Sequence, residues 1–133
     1  MIRDEDLVQK AREAVNPRRL SPFAEAGNVG CALVTDQGSI YTGVCIETDC
    51  GMGFCAEHNA IGAMVTGGES CIASIVAVNK AGAIYSPCGR CREFIYQMDP
   101  RNTETRVLLK NGRVMRLREL LPEHWKDESP ASE

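Results

Sequence analysis

The chain of 133 residues predicts an α/β fold, a three-layer α/β/α sandwich around a mixed five-stranded sheet. Three observations carry that expectation. Helix-like and strand-like periodicities alternate along the chain in the order α, β, β, α, β, α, β, β, α, whose natural packing is a mixed sheet with helices on both faces. The run "CIASIVAVN" from Cys71 to Asn79 is almost continuously apolar and β-branched, as a central strand covered on both faces must be. No repeat or linker interrupts the pattern, and a chain of this length buries one core without staples. The expected organisation is one domain over residues 1–126 and a disordered polar tail over residues 127–133.

The elements follow in order. From Asp4 to Val15, the residues Leu7, Val8, Ala11, Ala14 and Val15 recur at helical spacing, and Asn16-Pro17 closes the segment. A loop rich in Pro, Ser and Gly is expected up to Asn28. "VGCALVTDQGSIYTGVCIE" then reads as two strands joined by the short turn Asp36-Gln37-Gly38. "GFCAEHNAIGAMVTGG", residues 53–68, predicts a helix with Ile61, Met64 and Val65 on one face and Gly67-Gly68 at its end. After the central strand, a helix from Cys88 to Met98 leads into "TRVLLKNGRVMRL". There Asn111-Gly112 between two apolar runs signals a hairpin, and Leu117 to Leu121 predicts a short closing helix.

Composition narrows the function. A hydrophobic fraction of 44% and a charged fraction of 25% describe an ordinary globular protein, and a net charge of -3 offers no basic footprint for nucleic acid. The first residues, "MIRDEDLVQK", carry charge from the third position, and no apolar run reaches membrane-spanning length. A cytoplasmic protein acting on a small molecule is expected, with neither nucleic acid nor membrane as partner. The chain has seven cysteines, an odd number that cannot pair off internally, so metal binding and buried thiols are favoured over disulfides. Cys31 and Cys71 lie in strand-like apolar runs and read as core.

Two predicted helix starts carry the chemistry. Cys88 and Cys91, three apart in "SPCGRCREFIYQM", present their sulfurs on one face and can hold one ion, with Cys55 as third ligand. Zinc in catalytic sites keeps three protein ligands, whereas structural zinc takes four, and His58 and Cys50 are the available fourth donors. Glu57 argues for catalysis, because a carboxylate on the same first turn reaches what sits off the helix end. The spacing Cys55-x-Glu57 followed by Pro87-Cys88-x-x-Cys91 is the signature of zinc-dependent deaminases, in which the Glu moves protons and is not a ligand. Three thiolates leave the centre one unit negative, to be offset by helix N-termini and by Arg90 between two of the ligands.

On these motifs, and on "VGCALVTDQGSIYTGV", "CAEHNAIGAM", "SPCGRCREFI" and "RELLPEHW", the sequence resembles the small, free-nucleoside branch of the cytidine deaminase superfamily, which includes cytidine and blasticidin-S deaminases. The resemblance covers nearly the whole chain. It implies zinc held by Cys55, Cys88 and Cys91, Glu57 as general acid and base, and a homo-oligomer, commonly a tetramer. The directly joined strands around Asn111-Gly112 also fit this branch, since nucleic-acid editors place a helix there. His58 stands where cytidine deaminases commonly carry an Arg, and "PCGRC" resembles the blasticidin-S deaminase spelling. The family reads ribose with an Asn-x-Glu at the end of its second strand; here the corresponding residues are Cys45-Ile46-Glu47. Glu47 is retained and the amide is lost, which predicts poorer use of plain cytidine. Phe23 matches an aromatic bordering the base pocket, and Trp125 falls where a C-terminal aromatic closes a neighbouring subunit's pocket. The expected activity is zinc-dependent hydrolytic deamination of a small aminopyrimidine nucleoside, cytidine, deoxycytidine or blasticidin-S type. The rival readings are deamination of another amino-heterocycle and a non-catalytic zinc-stabilised module.

Overall fold

The structure, a computed structural model, describes residues 1–126; the tail expected at residues 127–133 lies outside them. The chain runs through α1 (Asp4–Ala14), β1 (Arg18–Ser21), β2 (Ala24–Thr35), β3 (Ile40–Thr48), α2 (Ala56–Thr66), β4 (Ile72–Asn79), β5 (Ile84–Tyr85), α3 (Gly89–Met98), β6 (Arg106–Leu108) and β7 (Val114–Arg116). β3, β2, β4, β6 and β7 lie side by side in one sheet, all antiparallel except the parallel pair β4 and β6. This is the mixed sheet that the element order predicts.

Strand alternation then builds the three layers. On β2, Cys31 and Leu33 point to one face and Ala32 and Val34 to the other; on β4, Ile75 and Ala77 oppose Val76 and Val78. The first face packs Ala60, Ile61 and Met64 of α2 and Ile95 of α3, while the second packs Leu7 and Ala11 of α1. α2 approaches β3 so closely that a Cβ at Gly43 would overlap the backbone of Ala60. Among the described residues, no helix is long and apolar enough to cross a membrane.

Four details differ from expectation. The sheet has seven strands, because β1 pairs with the first residues of β2, and β5 pairs with Ala77 and Val78 of β4. The loop expected before Asn28 is therefore largely strand. Its exposed Arg18, Arg19 and Leu20 show no alternation because β1 is an edge piece that covers no core. Val65 is 49% exposed, since the buried face of α2 runs through Ala56, Ala60 and Met64 and leaves Val65 outside it. The Asn111-Gly112 turn takes the left-handed backbone expected of it, φ 61° and 71°, within a 3-10 turn over Lys110–Gly112, and the closing helix is a single 3-10 turn over Leu117–Leu120.

Candidate active site

α2 and α3 begin beside each other, and a cysteine occupies the N-cap of each: Cys55 before Ala56 and Cys88 before Gly89. Neither helix carries a side-chain cap bond, and at the start of α3 the Arg90 and Cys91 amides act on the Cys88 sulfur. The Sγ atoms of Cys55 and Cys88 are 3.6 Å apart, and those of Cys88 and Cys91 are 3.5 Å apart. His58 Nδ1 lies 3.4 Å from Cys91 Sγ, with its ring stacked on Phe94 at 4.3 Å. The ligand atoms of Cys55, His58 and Cys91 all lie within 4.8 Å of one another. Cys55, Cys88 and Cys91 thus lie together, and of the two fourth donors that the sequence offers, His58 stands at the edge of the cluster while Cys50 is exposed.

The separation of the sulfurs fits zinc. Two thiolates on a tetrahedral ion with Zn–S bonds of about 2.3 Å sit roughly 3.8 Å apart, close to the separations found here. Burial pushes the Cys91 thiol well up, and the Glu57 charge pushes it further; burial also leads the rise at Cys55. Burial would raise Cys88 too, but hydrogen bonds from the backbone and side chain of Cys91, the Cys55 thiol and the Arg90 amide outweigh it and hold Cys88 below a free thiol's ordinary value. Thiols held protonated by burial become ligands by exchanging those protons for a cation. Arg90 is exposed, and it acts on Cys88 through its backbone amide, whereas the expected contribution was from its side chain. Burial, then the charge of Arg90, lowers the His58 pKa.

Glu57 is 5% exposed on the first turn of α2. Burial raises its carboxyl above the ordinary range, opposed by its own backbone amide and by the Cys91 thiol. It lines a cavity of about 240 Å³ with Cys55, Cys88, Cys45, Val29 and Tyr85. A second cavity of about 390 Å³ shares Val29, Cys45 and Cys55 with the first and extends along Glu47, Thr48 and Phe54. Together they form one trough from the cysteine cluster to the end of β3. A third, of about 180 Å³, continues past Glu47 to Arg19, Phe23, Glu25 and Asp49.

Of the expected substrate contacts, Cys45 and Glu47 line this trough. Phe23 does not reach Glu57: it sits 66% exposed in the turn between β1 and β2, at the outermost end. Trp125 is 63% exposed, with its indole N–H donating to Glu93 Oε2 of α3 in its own chain at 3.2 Å. Sequence reasoning missed the apolar wall of Val29, Phe54 and Tyr85, which no motif marks. It also missed Arg92, whose Nε donates to the Pro87 carbonyl at 2.8 Å and braces the backbone immediately before Cys88.

Fold and site together define a zinc-binding deaminase built on an α/β/α sandwich. The model of the cytidine and deoxycytidylate deaminase zinc-binding region matches residues 1–105. The blasticidin-S deaminase of Bacillus cereus is 36% identical over 107 residues, covering 71% of this chain and 74% of that one. The cytidine deaminase of Mycobacterium tuberculosis is 30% identical over 97 residues, covering 71% and 70%. The crystal structure of cytidine deaminase from Mycobacterium leprae superposes with a TM-score of 0.77 at 28% identity, over 92% of this chain and all of that one. The chain belongs to the cytidine and deoxycytidylate deaminase family.

Proposed function

We propose that the chain is a zinc-dependent hydrolytic deaminase that removes the amine of a small aminopyrimidine nucleoside and releases ammonia. The observation that carries this reading is Glu57, a buried carboxyl with a raised pKa in the same cavity wall as Cys55 and Cys88. Cys55, Cys88 and Cys91 would hold the zinc, which supplies Lewis acidity that makes a water nucleophilic near neutral pH. Glu57 accepts the proton that this water releases and delivers it to the ring nitrogen next to the amine-bearing carbon, then takes the proton of the hydroxyl newly added to that carbon and passes it to the departing amine as the carbonyl forms. Its low exposure keeps bulk water from competing for that proton.

The far end of the trough favours a nucleoside over a nucleotide. Glu25, Glu47 and Asp49 line it against a single Arg19, which is already paired with Glu25 at 3.1 Å. A phosphate entering there meets like charge. Cytidine, deoxycytidine and blasticidin-S type nucleosides are the substrates of choice, in keeping with the relatives' activities. All seven cysteines are free, which suits the cytoplasm. Exposed Phe23, Met52 and Trp125 favour a homo-oligomer, a tetramer by family resemblance, for which sedimentation equilibrium giving a monomer would be the contrary result.

A second reading, zinc as a structural clip, draws on His58, whose Nδ1 lies near enough to Cys91 to complete four donors. Glu57 separates the two, because a clip has no use for it. Ammonia release is measured over cytidine, deoxycytidine, blasticidin S and free amino-heterocycles, in the wild type and in Glu57→Gln. Positioned proton transfer is worth about a hundred- to ten-thousand-fold, and one residue here serves several transfers, so a loss at the upper end with zinc retained is expected. A variant within about tenfold of wild type would remove Glu57 as the proton shuttle, and a wild type that releases ammonia from none of these compounds would leave the structural clip standing.

A further inference from the structure

We infer that Asn28 is the positioning residue for hydroxyl recognition at the far end of the trough: its side-chain amide donates to Glu47 and aims that carboxylate at a sugar hydroxyl of the substrate. The inference rests on the nucleoside-deaminase reading above and names a residue that neither motif nor spacing marks. Asn28 Nδ2 lies 3.4 Å from Glu47 Oε2 across the β2–β3 pair.

The backbone is built to bring the two together. Ala26 pairs with Ile46 and Gly30 with Val44, so Gly27, Asn28 and Val29 stand opposite the single residue Cys45. Such a bulge re-aims side chains at the rim of a site. Here Val29 lines the trough with Cys45, and Asn28 meets Glu47. The bulge is fixed from behind. Gly27 has φ 89°, in the left-handed region, and a Cβ there would overlap the Asn16 carbonyl; the Asn16 amide donates in turn to the Gly27 carbonyl at 3.0 Å. Only glycine fits that position.

Chemistry gives Asn28 its role. Cys45 is a weak donor, an ionised Glu47 only accepts, and the Thr48 hydroxyl oxygen is buried. The amide of Asn28 therefore supplies the hydrogen-bond donor that β3 lacks at position 45, from the neighbouring strand. Binding Oε2 restrains an otherwise exposed carboxylate before substrate arrives and leaves Oε1 to accept from a hydroxyl. The second N–H of the amide remains to donate to the same hydroxyl oxygen.

The test compares kinetics on cytidine and 2′,3′-dideoxycytidine, which differ only in the sugar hydroxyls, for wild type, Asn28→Asp and Asn28→Gln. Asn28→Asp keeps the shape, removes the donor and sets a second carboxylate beside Glu47. Its kcat/KM on cytidine is expected to fall about tenfold, mainly through KM, while the dideoxy substrate changes by less than about twofold. Asn28→Gln restores the amide and recovers part of the loss. Equal losses on both substrates, or none on cytidine, would overturn the role of Asn28. Should wild type turn over neither substrate, the deaminase reading fails instead, and calorimetry with uridine and 2′,3′-dideoxyuridine still reads the contact. Equal binding changes for these two ligands in Asn28→Asp would also overturn it.

Discussion

At the cysteine end of the trough, Cys55, Glu57 and His58 come from one helix turn and Cys88 and Cys91 from another, whereas at the far end Asn28, Cys45 and Glu47 come from two paired strands. The helix-start residues are held by local geometry, because Cys55 and His58, like Cys88 and Cys91, are three apart and share a side, while Glu57 on the first turn reaches what sits off the helix end. The strand residues meet only because a bulge shifts the register of β2 against β3. The first end can change little without losing the ion, while the second can change a residue on one strand and be compensated from its neighbour. On the roles proposed for these residues, catalysis and substrate choice should therefore be separable along the trough.

The largest effect expected from breaking this comparison lies at the cysteine end. Cys88 is the exposed member of the cluster, and its hydrogen bonds outweigh burial and hold its thiol below the ordinary value. Cys88→Ala is expected to bring zinc content well below one per chain and to cut deamination by at least about a thousandfold, since the Lewis acid goes with the ligand. Elemental analysis showing full zinc occupancy would remove Cys88 from the ligand set and give its place to His58. Cys31→Ala, in the core face of β2, is the control: it should cost stability and leave zinc in place.

The same contrast explains what the amino-acid sequence discloses by itself. Helix periodicity and the Cys-x-Glu and Pro-Cys-x-x-Cys spacings are short-range signals, so α2, α3 and the residues at their starts are legible in the sequence, as is the central strand β4. Asn28 is not. It falls in a stretch that reads as loop, because Gly27 and the surrounding Pro and Ser look like turn chemistry, and the strand there is fixed by partners far along the chain. The placing of Phe23 is illegible for a related reason: it sits on a turn whose course is set by β1, an element without an apolar face, at the outermost end of the trough. Trp125 bonds Glu93 of its own chain, a contact made from across the fold that local pattern does not encode.

A smaller effect is expected at the bulge itself. Gly27→Ala puts a Cβ against the Asn16 carbonyl at a positive φ, and relief requires the end of α1 or the start of β2 to move. A residue unable to adopt its native backbone conformation costs more than about 1 kcal/mol, and overpacking adds typically 1–3 kcal/mol, so a loss of about 2–4 kcal/mol in urea denaturation is expected. Where the variant still folds, it should lose more activity on cytidine than on 2′,3′-dideoxycytidine with zinc unchanged, because the bulge serves the strand end of the trough and not the cysteines. Equal losses on the two substrates, or zinc lost in step with activity, would show that the two ends are not separable.

The smallest effect belongs to a tie outside the trough. Arg106 on β6 grips Asp4 at the start of α1 with two hydrogen bonds of 2.8 Å and reaches Ser74 of β4 at 3.0 Å, pinning α1 to the face of the sheet away from α2 and α3. Hydrogen bonding to Arg106 holds the Asp4 carboxyl below its usual range, with burial opposing and the Arg106 charge assisting. Because the folded value is the lower one, this stabilisation is fully present above the unfolded value of about 3.9 and fades as pH falls through the folded value. With side chains 35% and 40% exposed, solvent screens the pair, and its worth is below about 1 kcal/mol. Asp4→Asn should therefore unfold at slightly lower urea than wild type at pH 7, and the gap should narrow toward pH 3 as the wild-type carboxylate takes up its proton. Deamination should stay within about twofold, since α1 contributes no residue to the cavity walls around Glu57 and Glu47. A gap that widens on acidification would show the sign to be wrong. A large loss of activity would show instead that the sheet's opposite face is coupled to the trough, so that neither end of it is set locally.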